Sequence, residues 1–294
     1  MNKIFKQIRY ALEAAITKVA LWLLSLPSPK KSGDIASKLA RFIGKKISVQ
    51  KLAYNNLSKA IPALSENEKE KILDDMWDNL GRIIGEFPHV CAYSPQEILQ
   101  FVAVSDEVLA NIEEIKKIGK GGIIFSGHIG NWELGPKTLM ASGINVSTVY
   151  RPLNNPYVEE MTGQLRGVDM IGKNSAGNRR IIEVIKSGGF VIILADQKIS
   201  EGEKVKFFHD DAVTTTSIAR MVLKYGVPLI PARIIRLGHD FKFKIDLEKP
   251  LVIEKTADLN SDILQLTRKI NRKLEEWISQ YPAQWFWVHN RWKK

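Results

Sequence analysis

The feature that most constrains this chain is a change of rhythm at Gly121. From there on, short apolar runs at residues 121–125, 146–150, 191–195, 229–234 and 241–247 alternate with helical segments at 132–142, 156–167, 177–187 and 215–225. The apolar runs have strand length, and the segments between them repeat with helical periodicity. Such alternation predicts an α/β fold, a sheet with helices on its faces. A last helix is predicted over 258–280. No internal repeat and no low-complexity tract interrupts the pattern.

The chain before Gly121 reads differently. Residues 33–112 are predicted to be helical throughout. Asp34 is the expected cap of a helix running to Lys46, and Ser65 with Glu68 makes a capping box before a helix over 69–85. Tyr54-Asn55-Asn56-Leu57 falls on a helix between them, where the asparagines read as caps or surface positions.

The first 26 residues form an amphipathic helix by pattern. Lys3, Lys6, Arg9 and Glu13 share one side, and Ile4, Phe5, Ile8, Leu12, Ala15, Ile16 and Val19 the other. From Val19 to Leu26 nearly every face is apolar, and Pro27 and Pro29 stop the helix. Glu13 and Lys18 interrupt the stretch, and no small-residue cleavage site follows. An interfacial membrane anchor is therefore expected rather than a clean span or a signal peptide. The division expected is an anchor over 1–29, a helical region over 30–112 and a catalytic core over 113–294.

Charge supports a lipid surface or an acidic partner. Residues 1–60 hold twelve Lys and Arg against Glu13 and Asp34, so ten of the net +11 charges lie there. The basic residues are interleaved with a long apolar helix, which disfavours nucleic acid as a partner. The 45% hydrophobic and 26% charged content is that of a globular chain. The lone Cys91 cannot form an internal disulfide or anchor a zinc site with five scattered histidines, so no metal is expected.

Chemistry is concentrated in Phe125-Ser126-Gly127-His128-Ile129-Gly130-Asn131-Trp132-Glu133. A strand ends in small residues, exposes His128, and turns into a helix bearing Glu133. Sites in α/β proteins form at the carboxyl ends of strands. Histidine can take the proton of a hydroxyl near neutral pH, and acyl transfer onto an alcohol needs such a base. Glu133 is expected to hold the second ring nitrogen, while Gly127 and Gly130 let backbone amides approach an oxyanion.

His128-Ile129-Gly130-Asn131-Trp132-Glu133 resembles the His-x4-Asp/Glu signature of the lipid A biosynthesis acyltransferases. Three further blocks resemble that family in the same order. They are Tyr150-Arg151-Pro152-Leu153-Asn154-Asn155-Pro156, Leu194-Ala195-Asp196-Gln197, and Gln284-Trp285-Phe286-Trp287-Val288-His289-Asn290-Arg291-Trp292-Lys293. The resemblance implies a mixed sheet of glycerolipid-acyltransferase type. It also implies His128 and Glu133 as the catalytic pair, and transfer from an acyl carrier protein to a Kdo-bearing lipid A precursor. The carrier enters as co-substrate with no further cofactor, and the implied place is the cytoplasmic face of the cell inner membrane.

Arg151 and Arg166 are candidates to grip a phosphate of the acceptor or of the carrier's phosphopantetheine arm. Asp196 follows a strand and is a candidate to orient an arginine or the acceptor. Asn131 is a further substrate-binding candidate. Trp285, Phe286 and Trp287 either line an acyl tunnel or close the core. Arg291, Lys293 and Lys294 either meet headgroups or solvate the terminus. Phe207-Phe208-His209-Asp210-Asp211-Ala212 departs from the family pattern, which has Phe followed by Gly and a small loop.

Overall fold

The computed structural model describes residues 3–199 and 202–292. Its centre is a seven-stranded mixed sheet. The strands are β1 (Val102–Ala103), β2 (Gly122–Ser126), β3 (Val146–Tyr150), β4 (Asp169–Gly172), β5 (Phe190–Leu194), β8 (Leu229–Arg236) and β9 (Phe243–Leu247), in the spatial order β1-β9-β8-β2-β5-β3-β4. β8, β2, β5, β3 and β4 run parallel, and the β8–β9 pair is antiparallel. A separate hairpin pairs β6 (Glu203–Phe207) with β7 (Asp210–Thr214).

Alternation along the central strands feeds two cores. Ile123, Phe125, Val191 and Ile193 face α11 (Leu259–Gln280), α10 (Ser217–Tyr225) and α9 (Ser175–Lys186), packing with Leu274, Trp277, Val222 and Ile181. Ile124, Ile192, Ile230 and Ile234 face the other way, toward Ile112 and Ile115 of α6 (Asp106–Lys117) and Leu139 of α7 (Leu134–Ala141). Such two-sided burial is what a sheet covered by helices on both faces requires.

The five expected strands and the intervening helices are present with small shifts at their ends. β1 lies in the stretch expected to be helical throughout, where two residues are too few for a period to register. β4 also escapes pattern reading, because it is a four-residue edge strand with only Ile171 fully buried. Residues 207–212 form the turn of the β6–β7 hairpin, with Phe208 at φ +55°. Asp210 and Asp211 there pair with Lys59 and Lys206.

The amino-terminal third is built from α1 (Lys3–Ser25), α2 (Pro29–Gly44), α3 (Val49–Ala60), α4 (Glu66–Ala92) and the single turn α5 (Pro95–Ile98). Both limbs of the Ser65–Glu68 capping box are made, and α4 runs on through Pro88 instead of ending near Gly85. Asp34 does not cap α2. Ser28 does, its side chain accepting from the Lys31 N–H, while Asp34 sits inside the helix and pairs with Arg82 at 2.7 Å. Gly81 and Gly85 let α2 pack against α4, since a Cβ at either would strike the α2 backbone within 2.6 Å.

A buried charge network fastens α4 to the sheet. Arg236 of β8 donates to both carboxylate oxygens of Glu86 at 2.6 and 2.7 Å, and its Nε donates to Asn79 at 2.9 Å. Asn131 donates to the same Glu86 at 2.9 Å. Removing one partner of such a pair strands the other charge in the interior. Glu86→Ala should therefore lower stability by about 3–5 kcal/mol, read as the shift in urea unfolding midpoint. An exposed control, Glu107→Ala, should move it far less.

Candidate active site

Four adjacent parallel strands end in register on one edge of the sheet. Ser126 lies opposite Leu194, Val149 opposite Ile193, and Tyr150 opposite Gly172. The residues just beyond those ends are His128, Asp196 with Gln197, Arg151, and Lys173. Of these, His128, Arg151, Lys173 and Gln197 line a cleft of about 200 Å³, whose other walls include Trp132, Glu133, Tyr150, Arg166 and Cys91. A smaller apolar cavity of about 30 Å³ adjoins it, floored by Ile124, Leu139, Ile234 and Ile245 and sharing Trp132, Pro136, Ile192 and Leu194 with the cleft.

His128 is held by Asp196. The ring Nδ1 lies 2.8 Å from Asp196 Oδ1, and the His128 backbone N–H donates to Asp196 Oδ2 at 2.7 Å. The Trp285 indole donates to that same oxygen at 2.8 Å. An ionised carboxylate only accepts, so Nδ1 carries the proton and Nε2 presents its lone pair. Burial by itself opposes ionisation of Asp196. The imidazole, which is positive whenever Nε2 is protonated, the two His128 N–H donors and the Trp285 indole outweigh that and hold the carboxyl well below the usual carboxylate range. The Gln197 amide lies 3.0 Å from Nε2, the place a hydroxyl would take. Edge contact with Trp132 at 4.9 Å, together with Phe286 at 6.1 Å, frames the ring.

This arrangement corrects the expected partner of the histidine. Glu133 does not contact the imidazole. It stands at the amino end of α7, and both its oxygens accept from Arg166, at 2.9 and 3.1 Å. Arg166 ends α8 (Pro156–Arg166) and stacks over Phe87, 5.2 Å from the ring centre. Four residues separate His128 from Glu133 across a tight turn, which points the two side chains at different neighbours. Asp196 was legible as a residue at a strand end, but not its partner. That depends on β5 lying next to β2, and strand order is not written locally.

Other candidates are also reassigned. Asn131 is fully buried, donates to Glu86 and accepts from the Glu133 N–H, so it braces the turn and does not line the cleft. The backbone amide of Gly130 donates to Gln284 at 3.1 Å and that of His128 to Asp196, so neither is free for an oxyanion. Gly130 is required for another reason. It lies at φ +60°, and a Cβ there would come within 2.0 Å of the Ile234 carbonyl.

The carboxyl-terminal block closes the site from behind. Trp285 and Trp287 are buried edge to face, 4.6 Å apart, so both serve the core, while Phe286 meets His128 and Trp132. Asn56 is no surface residue, since it donates to the Trp287 and His289 carbonyls at 2.8 and 2.7 Å. Arg291 reaches neither headgroups nor solvent. It is fully buried over Phe207 and donates to Val213 and Thr214. Lys293 and Lys294 lie outside the described residues. Burial, with a smaller push from the Glu133 charge, raises the Cys91 thiol to about 12, so it stays protonated and is no nucleophile.

Comparison with known proteins decides the family. The family model for bacterial lipid A biosynthesis acyltransferases matches residues 2–294. The chain belongs to that family. It is thus an acyltransferase, and its relatives carry related names. The lipid A biosynthesis myristoyltransferase of Escherichia coli (strain K12) is 25% identical over 295 residues, covering 98% of this chain and 88% of that protein. The palmitoleoyltransferase of the same organism is 24% identical over 283 residues, with 93% and 88% covered. The lauroyltransferase is 24% identical over 285 residues, with 93% and 89% covered.

The carboxylate on His128 fixes its tautomer and is placed to steady an imidazolium. Asp196→Asn in this acyltransferase should therefore lower kcat by about 10²–10⁴ while the chain still folds, because an amide can stabilise the wrong tautomer. Steady-state turnover with unfolding curves recorded in parallel checks this. Wild-type kcat in a folded variant would show that Asp196 serves only the fold.

Proposed function

We propose that this acyltransferase moves a fatty acyl chain from an acyl carrier protein to a hydroxyl of a Kdo-bearing lipid A precursor, with His128 as general base. The observation that carries the reading is an imidazole with its Nε2 lone pair toward the cleft and its Nδ1–H on a buried carboxylate, in a chain of this family. The acceptor hydroxyl displaces the Gln197 amide and gives its proton to Nε2. Its oxygen then attacks the thioester carbonyl of the donor. Collapse of the tetrahedral adduct breaks the C–S bond, and the imidazolium returns its proton to the leaving sulfur. The products are the ester and the carrier's free thiol.

Asp196 stabilises the imidazolium that forms between those steps. Glu133 acts through Arg166, holding the guanidinium against the cleft wall where charge develops. The adjoining apolar cavity suits the acyl chain. The sequence of transfers written here asks for neither metal nor redox group, so the carrier is a co-substrate and no cofactor takes part. An acidic carrier suits the positive charge of residues 1–60.

The test uses purified full-length chain, an acylated carrier protein and the lipid A precursor in neutral detergent, with the product read by mass spectrometry. His128→Ala should lower turnover by about 10²–10⁴. Near-normal turnover in that variant would remove His128 from the chemistry. Acylation of another glycolipid or aminolipid, with none of the precursor, would overturn the acceptor assignment.

Membrane binding at the cytoplasmic face of the inner membrane belongs to the same reading. No helix among the described residues is long and apolar enough to cross a membrane. What supports surface binding is shape. α1 packs inward through Tyr10, Ala14, Thr17, Leu21 and Leu24, and leaves Phe5, Leu12, Ile16, Val19 and Trp22 at least half exposed. α2 adds exposed Ile35, Leu39 and Phe42 beside Lys38, Arg41 and Lys46. Apolar surface on this scale, rimmed by cations, suits anionic lipid. In flotation with anionic phospholipid vesicles, Ile16→Ser/Val19→Ser/Trp22→Ser should leave most of the protein behind. Equal flotation of variant and wild type would refute the assignment of α1.

A further inference from the structure

The cleft holds four cationic side chains, and two of them already have partners. Arg166 is bound to Glu133, and the Lys137 ammonium donates to the carbonyls of Val90, Cys91 and Tyr93 at the end of α4. Arg151 and Lys173 line the same wall and have no hydrogen-bonded or ion-paired side-chain partner among the described residues.

Backbone geometry brings these two together. β3 and β4 run parallel with Tyr150 opposite Gly172, and the Lys173 N–H donates to the Tyr150 carbonyl at 2.9 Å. Arg151 and Lys173 are therefore the first residues to leave two hydrogen-bonded strands at the same level. The nearby carboxylates are engaged elsewhere. Glu159 accepts from the Tyr150 hydroxyl and the Leu153 N–H, Asp169 accepts from Ser147 and Arg180, and Asp196 is committed to His128.

Two cations thus face one cleft with no ion-paired carboxylate among the described residues. Lys173 is open to solvent at the cleft surface, yet surrounding protein holds its ammonium below the usual lysine range; the Asp196 charge opposes this, and the Arg151 charge adds to it by a smaller amount. Like charges kept in place against their repulsion are suited to receive an anion, which relieves it. An arginine fork beside a lysine point charge matches the tetrahedral oxygens of a phosphate. α9 begins two residues after Lys173, and the positive end of its backbone dipole adds to the field.

We propose that Arg151 and Lys173 form a phosphate subsite on the cleft wall, reserved for the phosphate of a substrate bound at His128. This deepens the function proposed above and rests on it for the substrate's identity. In that function either reactant supplies the group, the acceptor through a sugar phosphate or the donor through its phosphopantetheine arm. Arg166 is set apart from the subsite because its charge is already paired with Glu133 through Nε and Nη2.

Binding measured by calorimetry on the full chain tests this without requiring turnover. Two probe pairs are titrated, 4′-phosphopantetheine against pantetheine and glucosamine 1-phosphate against glucosamine. In one pair the phosphorylated probe should bind about ten- to a hundredfold more tightly, the range expected for a charge-assisted contact. Lys173→Met and Arg151→Met should each abolish most of that preference, and Lys173→Arg should restore part of it. Lys186→Met, at the far end of α9, should leave it intact. Preference within the pantetheine pair assigns the subsite to the donor, and preference within the sugar pair to the acceptor. Equal affinities within both pairs, or a preference that survives both methionine variants, would overturn the proposal. Loss of preference in the variants with no acyl transfer by the wild type would leave the subsite standing and reject the transfer reaction.

Discussion

One buried carboxylate organises the catalytic edge of this protein. Asp196 leaves the end of β5 and accepts from the His128 backbone, the His128 ring and the Trp285 indole at once. Three segments distant in sequence are fixed by two oxygen atoms. Such a group is tolerable inside a protein only if its lone pairs are filled by donors, and here each donor belongs to the site or to its lid. The orientation of the imidazole is therefore a by-product of satisfying the carboxylate. A second buried charge system does the same for the scaffold behind it. Arg236 and Glu86 join β8 to α4, and Asn131 ties that pair to the turn carrying His128.

The division of labour between the acidic residues follows from this. Asp196 faces His128 and is fully enclosed, so it serves the proton. Glu133 faces Arg166 at the cleft wall, so it serves a cation. Both are held by charge-assisted bonds, but only the first touches the imidazole. The spacing of His128 and Glu133 marks the turn rather than a direct contact. The turn matters because Gly130 must pass within reach of the Ile234 carbonyl for β2 to hand over to α7.

Much of this was legible in the chain. Strand runs of five or more residues with both faces buried announce themselves, and so does the Ser65–Glu68 cap. The site's location was readable too, as small residues following a strand. What could not be read was adjacency. Nothing near Asp196 says that β5 lies beside β2, and nothing near Asn56 says that it holds the backbone of Trp287. Short edge elements such as β1 and β4 carry too few buried positions to show a period. Arg291 misled for a different reason. A basic residue near a terminus is usually solvated, and only the packing of Phe207 and the β7 carbonyls reveals an interior place for it.

The link between Asp196 and Trp285 has a consequence for how the protein is made. A chain emerging from the ribosome presents His128 and Asp196 while some ninety residues separate it from Trp285. Until that indole arrives, Oδ2 of Asp196 has only the His128 backbone N–H as donor and the wall behind the ring is open, as are the places later filled by Trp287 and Arg291. The cleft thus stays unfinished through most of synthesis. By this construction the wall behind the imidazole is completed only by residues of the carboxyl-terminal block.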